Sequence, residues 1–298
     1  MVYLLQQLAN SLPLAALYAA LAFGYALIFG MTRRADITYG ALFAFSGQIY
    51  VLFAEFAWND LYLVLPAALA LGAVAAELYA LAAGALIGRH VMRPLYRHSP
   101  NIVVVASLAV LIILSESARL AADSRVLWLP PFLNAPVVLL EDGGFRVTLT
   151  VIQLVNTALM AAIVIIGHGI LRHGRIGRLW RAVCDDARAA EICGVDSGFA
   201  FVAAYLTAAM IAAVCGILST SYYGTMDFSA GLVFGLKVVL IAAAGGTSSP
   251  TRSALGAAVV GLAETLWSGF GPTMLRDLVI VSGLVAVLVL SRRERVIP

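Results

Sequence analysis

The residues of this chain that could do chemistry are few, and most of them lie in one stretch. From Arg172 to Ser197 the sequence reads RHGRIGRLWRAVCDDARAAEICGVDS, basic and acidic groups set among small residues. The chemistry on offer is not covalent. HExxH, GxSxG and the glycine-rich phosphate loop are all absent from the sequence. The four histidines (His90, His98, His168 and His173) fall at expected helix ends, and Cys184, Cys193 and Cys215 lack the spacing of a disulfide framework or zinc site. What the stretch suits is contact with another protein. Arg181 to Ile192 reads as one short helix with a small face (Ala182, Ala187, Ala189, Ala190), stopped by Gly194. Asp185 and Arg188, three apart, can pair on its surface. Such a helix fits a groove in a soluble partner.

The elements that position this loop are apolar. Of 298 residues, 62% are hydrophobic and 12% charged, against about half and about a quarter in soluble domains. Mean hydropathy is +0.97. A helix needs about 20 mostly apolar residues to cross the hydrocarbon. Segments 11–30, 36–57, 61–88, 101–121, 147–171 and 199–220 qualify, followed by the shorter 232–247, 253–270 and 275–291. The run Gly245-Gly246-Thr247-Ser248-Ser249-Pro250 is either a tight turn or the broken middle of a re-entrant pair. The expectation is an all-α polytopic transmembrane bundle with eight or nine spans, nine favoured. It forms one domain over 1–298, with 172–198 as a cytoplasmic loop. The N-terminus lacks a basic leader and reads as a retained first span.

With nine spans, fourteen of the 19 basic residues fall in one set of loops and three (Arg125, Arg146, Arg276) in the other. The positive-inside rule then puts the N-terminus outside and the C-terminus in the cytoplasm. The net charge of +3 gives no reason to invoke nucleic acid; the basic loops face membrane lipid. Gly72, Ala76, Ala80, Gly84 and Gly88 recur every four residues, a face that lets a neighbouring helix come close, and Ala16, Ala20 and Gly24 repeat the pattern. Charges inside spans each need an account. Glu77 sits mid-span, where a polar route is one reading and a structural role the other. Glu116 and Arg119 can pair three apart, while Glu55, Lys237 and Glu264 either line a polar route or snorkel to the interface.

Four stretches, in order along the chain, carry a resemblance. RRADITYGALFAFSGQIY (33–50), RHVMRPLYRHSP (89–100), GRLWRAVCDDARAAEICGVD (177–196) and GLKVVLIAAAGGTSSPTRSALGAAVVGLAETL (235–266) are similar to motifs of the permease subunits of branched-chain amino acid ABC importers, the high-affinity leucine/isoleucine/valine type. The third is the most specific. Two departures stand out: Asp36-Ile37-Thr38-Tyr39-Gly40 replaces the family's Asn-Phe-Ala-x-Gly, and no third glycine follows Gly245-Gly246.

The resemblance implies an ABC importer permease of the bacterial inner membrane. It implies a second homologous permease, usually forming a heterodimer, two ATPase subunits that bind ATP and magnesium, and a periplasmic solute-binding protein. No cofactor is expected on this chain, and it is not itself expected to be an enzyme. Arg178, Arg181, Ala182, Asp185, Arg188, Ala189, Ala190 and Gly194 are then the ATPase-coupling residues. Thr38, Tyr39, Gly40 and Glu77 are candidates for the substrate pathway. Urea, amides or aromatic acids are alternative cargoes, and a self-contained secondary transporter or channel is the rival class.

Overall fold

A computed structural model describes residues 2–95, 100–142, 145–245 and 249–291. The long α1 (Val2–Thr32) is the axis of the bundle, and α2 (Thr38–Asn59) and α3 (Leu65–Leu86) follow as an antiparallel pair. Pro66 in the first turn of α3 pre-sets its start, and α3 runs on through a π turn (Ile87–Met92) into α4 (Arg93–Leu95). Next come α5 (Pro100–Ala121), strands β1 (Pro136–Asp142) and β2 (Phe145–Thr150), and α6 (Val151–His173). The polar segment folds as α7 (Arg175–Asp185) and α8 (Ala187–Ile192). After it come α9 (Ser197–Tyr223), α10 (Ala230–Gly245), α11 (Pro250–Phe270), a 3-10 turn (Thr273–Leu275) and α12 (Arg276–Ser291).

Among the described residues, seven helices are long and apolar enough to cross a membrane: α1, α2, α3 with its extension, α5, α6, α9 and α11. α10 and α12, at 16 residues each, fall short of that length, so eight or nine full spans are not established. Residues 246–248, the centre of the expected turn or break, lie outside the described residues, as do Arg97, His98, Arg292, Arg293 and Arg295.

The small-residue face on the third span packs as its spacing requires. The buried positions of α3 are Ala68, Gly72, Ala76, Ala80 and Gly84. A side chain at Gly72 would come within 2.7 Å of the Tyr50 carbonyl on α2, and one at Gly84 would meet Ala209 on α9. The same logic joins α1 to α11, where Gly261 lies against the backbone of Ala15.

Residues 145–150 correct one expectation. They belong not to a span from 147 but to an antiparallel hairpin in which Val147 pairs with Leu140 and Leu149 with Val137. The alternation Phe145, Val147, Leu149 against Arg146, Thr148, Thr150 is a strand pattern that hydropathy averaging hides. Val147 and Leu149 bury against Ala9 of α1. A capping box then starts α6: Thr150 accepts from the Gln153 N–H, and Gln153 Oε1 accepts from the Thr150 N–H at 2.8 Å.

The two ends of α1 differ. At its N-terminus, Gln6 makes paired hydrogen bonds of 2.9 Å with the Thr148 backbone, and the Tyr3 hydroxyl donates to Gly269. At its other end sit α7 and α8. The 31 residues between span about 45 Å, more than the roughly 30 Å of hydrocarbon.

Candidate functional site

The expected single helix from Arg181 to Ile192 is two helices that meet at Asp186. Its backbone is extended (φ −153°, ψ 107°), and its carboxylate accepts hydrogen bonds from the N–H groups of Arg188 (2.8 Å) and Ala189 (3.1 Å). An aspartate that can cap a new helix competes with continuation of the old one, and here the cap wins. The break also separates Asp185 from Arg188, and no ion pair joins them among the described residues. Gly194 ends α8 at φ +84°, a left-handed conformation that favours glycine. There its N–H bonds the Glu191 carbonyl, and the Val195 N–H bonds that of Ala190. Asp196 then caps α9 through the Phe199 N–H.

This roof is tied to three membrane helices. The Trp180 indole donates to the Leu27 carbonyl of α1 at 3.1 Å, its ring lying over Gly30 so closely that a side chain there would come within 2.7 Å. Arg181 donates to the Leu171 carbonyl at 2.6 Å, at the end of α6, where a cation also meets the negative end of the helix dipole. Arg33, just past the end of α1, reaches the Cys184 carbonyl at 3.3 Å. Ser197 at the start of α9 bonds the Glu191 carboxylate of α8. Burial pushes the Cys184 thiol up to about 12, with the Asp185 carboxylate adding to the shift, so it stays protonated at neutral pH.

The free face of the roof is exposed. Arg178, Arg181, Ala182, Asp185, Arg188 and Ala189 all reach solvent, and Ile192 is 88% exposed at the tip. Ala190 does not share that face. At 5% exposure it is buried, whereas Ala189 beside it reaches solvent.

A second polar cluster marks the start of α2. Asp36 is buried and accepts from the Thr38 N–H at 2.9 Å, with the hydroxyls of Thr38 and Tyr205 also bonded to it. Thr38 and Tyr39 are buried, and Gly40 lies so near Gly235 of α10 that a Cβ would strike its backbone. None of the three lines either described cavity.

With the geometry in place, the comparisons decide the family. The family described as "Branched-chain amino acid transport system / permease component" matches residues 7–290. The chain belongs to this permease family. The high-affinity branched-chain amino acid transport system permease protein LivH of Escherichia coli (strain K12) is 28% identical over 293 residues, covering 96% of this chain and 93% of LivH. BraD of Pseudomonas aeruginosa, described in the same words, is 25% identical over 95% of this chain and 92% of its own length. The fructose import permease protein FruG of Bifidobacterium longum is 24% identical over 88% of this chain and 76% of its own. No solved structure matches the chain.

In this permease the intramembrane charges fall into three kinds. Glu116 and Arg119 pair on α5 as their spacing suggested, with Nε to Oε2 at 2.9 Å. Lys237 and Glu264 do not snorkel. Lys237 Nζ lies 3.0 Å from Glu264 Oε1 and 3.0 Å from Asp277 Oδ1, and Tyr18 donates to Glu264 Oε2 at 2.8 Å. The cluster joins α1, α10, α11 and α12, a grouping hidden from sequence because Lys237 and Glu264 lie 27 residues apart on different helices. Glu77 is the third kind. It is half-buried on α3, and neither carboxylate oxygen has a hydrogen-bond partner among the described residues.

Proposed function

We propose that this chain is the membrane-spanning permease of an ATP-driven importer in a bacterial inner membrane, and that its cargo is a branched-chain amino acid. The observation that carries the reading is the family match across residues 7–290, with LivH and BraD aligned over more than nine-tenths of their lengths. FruG, aligned over 76% of its length, supports a sugar less well. A polar roof tied to three membrane helices suits the transmission of force from a soluble motor.

In this reading two ATPase subunits bind ATP and magnesium beneath the membrane. One of them grips the exposed face of α7 and α8 through Arg178, Arg188 and Ala189. Closure of the motor moves the roof, and the ties from Trp180, Arg181 and Glu191 carry the motion to α1, α6 and α9. Two packed states of the bundle then alternate access. A second homologous permease completes the pathway, and a periplasmic binding protein delivers the cargo. Thr38, Tyr39 and Gly40 act on the route indirectly, by fixing where α2 starts. Glu77, without a hydrogen-bond partner among the described residues, faces the route or the second permease, which supplies one. α10 and α12 complete nine crossings, with the N-terminus outside and the C-terminus in the cytoplasm.

The test is uptake of labelled leucine into cells or proteoliposomes that carry the full complex. ATP-dependent uptake, absent when the permease is omitted, is expected. Uptake that persists without the ATPase would favour a self-contained transporter. Cysteine labelling from outside should modify a site at Asn134 and spare one at His173; the reverse pattern would overturn the orientation.

A further inference from the structure

A groove of about 1020 Å³ runs between α6 and α9, floored by Phe23 and Leu27 of α1 and roofed by α7. Its walls are apolar, with Leu159, Ile163 and Ile166 of α6 facing Ala203, Met210 and Val214 of α9. The wall hydroxyl of Thr207 is satisfied within α9, donating to the Ala203 carbonyl at 2.8 Å. Charge occurs only at the mouth, from Arg175 and Asp196. Asp196 is engaged in capping α9, whereas Arg175 has no ion-pair partner among the described residues and lies within three residues along the chain of the exposed Arg172 and Arg178.

Dimensions and charge together select an occupant. Leu159 to Leu171 spans about 18 Å along α6. One leaflet of hydrocarbon is about 15 Å deep, half of the roughly 30 Å core. The groove therefore runs from mid-membrane to the basic end, the depth of a single acyl chain, and its mouth presents Arg175 at headgroup level. Apolar walls favour burial of methylene groups, at about 0.8 kcal/mol for each. The arginine mouth favours an anionic headgroup.

We propose that this groove is a phospholipid site, in which an acyl chain lies between α6 and α9 and an anionic headgroup phosphate sits against Arg175. The lipid stands beneath α7 and shares its lining residues Ile176, Leu179 and Trp180 with the roof. Its occupancy therefore holds α7 at its angle to the bundle, and the membrane's lipid composition acts on the roof.

The experiment uses the full complex, stripped of lipid and returned to nanodiscs of phosphatidylglycerol or of phosphatidylcholine. A photo-crosslinking residue in place of Ile166, on the groove wall, reports what fills it. The expected adduct is a phospholipid, and a cross-link to the second permease would overturn the proposal. Native mass spectrometry of the wild-type complex should show phosphatidylglycerol retained through detergent exchange. Arg175→Gln should lower that retention about fivefold while leaving phosphatidylcholine unchanged. Ala203→Trp, which fills the groove, should remove both lipids; unchanged retention in both variants would overturn the site. These readouts do not involve transport, so they stand or fall apart from the assigned cargo.

Discussion

Two segments of this permease, Asp36–Gly40 and Asp186–Gly194, use the same ingredients in opposite surroundings. Each has an aspartate that accepts hydrogen bonds at a helix start and a glycine a few residues after it. The first is sealed inside the bundle, where Asp36 is 3% exposed and Gly40 touches α10. The second lies at the surface, where Ser197 of α9 bonds its Glu191 carboxylate and the adjoining α7 is tied to carbonyls on α1 and α6, with one face free. A motif therefore acquires its role from what covers it. The buried segment can act only through packing, whereas the exposed one can be gripped and moved without repacking the core.

Substitutions should separate the two behaviours, and the largest effects belong inside. Among the described residues, Lys237→Ala would leave Glu264 buried with Tyr18 and the more distant Arg276 beside it, the latter at 3.6 Å. Loss of stability near the lower end of about 3–5 kcal/mol is expected. Thermal unfolding of the purified protein measures it, and Lys237→Ala with Glu264→Gln should recover much of it. An unchanged transition in the single variant would mean that the cluster does not hold α10 in place.

Gly40→Val is next. It forces α10 away from α2 and should cost about 1–3 kcal/mol or more, seen as reduced yield and a lower melting temperature. If Gly40→Val folds normally but loses transport, the segment touches cargo and the contrast between the two regions fails. Ala190→Trp should also destabilise by about 1–3 kcal/mol, because this alanine is buried. Scanning calorimetry on the complex would show it. Glu77→Gln should have the smallest effect on stability, under about 0.5 kcal/mol, since no hydrogen bond is lost. A fall in leucine uptake at normal assembly would place it on the route, and normal uptake would leave it structural.

How much of this was legible from sequence depended on the range of the interaction. The α3 face from Gly72 to Gly84 was readable because four-residue spacing is a local fact, and so was the Glu116–Arg119 pair on one helix. The break at Asp186 escaped because alternating charge reads as helix whether or not an aspartate caps a new turn. The hairpin at 136–150 was hidden by mean hydropathy, although its alternation was there to be counted. The Lys237–Glu264–Asp277 cluster was beyond reach, since each charge only looked costly until three helices brought the partners together. Ala190 was grouped with Ala189 because both are small, and only the packing shows that one is buried while the other reaches solvent.

The claim that the exposed face of α7 and α8 couples this permease to a motor is tested most directly at Ala189. Its side chain reaches solvent, so Ala189→Trp should leave folding within about 0.5 kcal/mol of wild type. In a partner's groove the same ring is an overpacking of about 1–3 kcal/mol, enough to weaken binding roughly ten- to hundredfold. The measurement is co-purification of the ATPase subunit with the wild-type permease and with Ala189→Trp, alongside ATP-driven leucine uptake. The account predicts a correctly folded variant that recovers far less ATPase and has lost uptake. Equal recovery and equal uptake would contradict it.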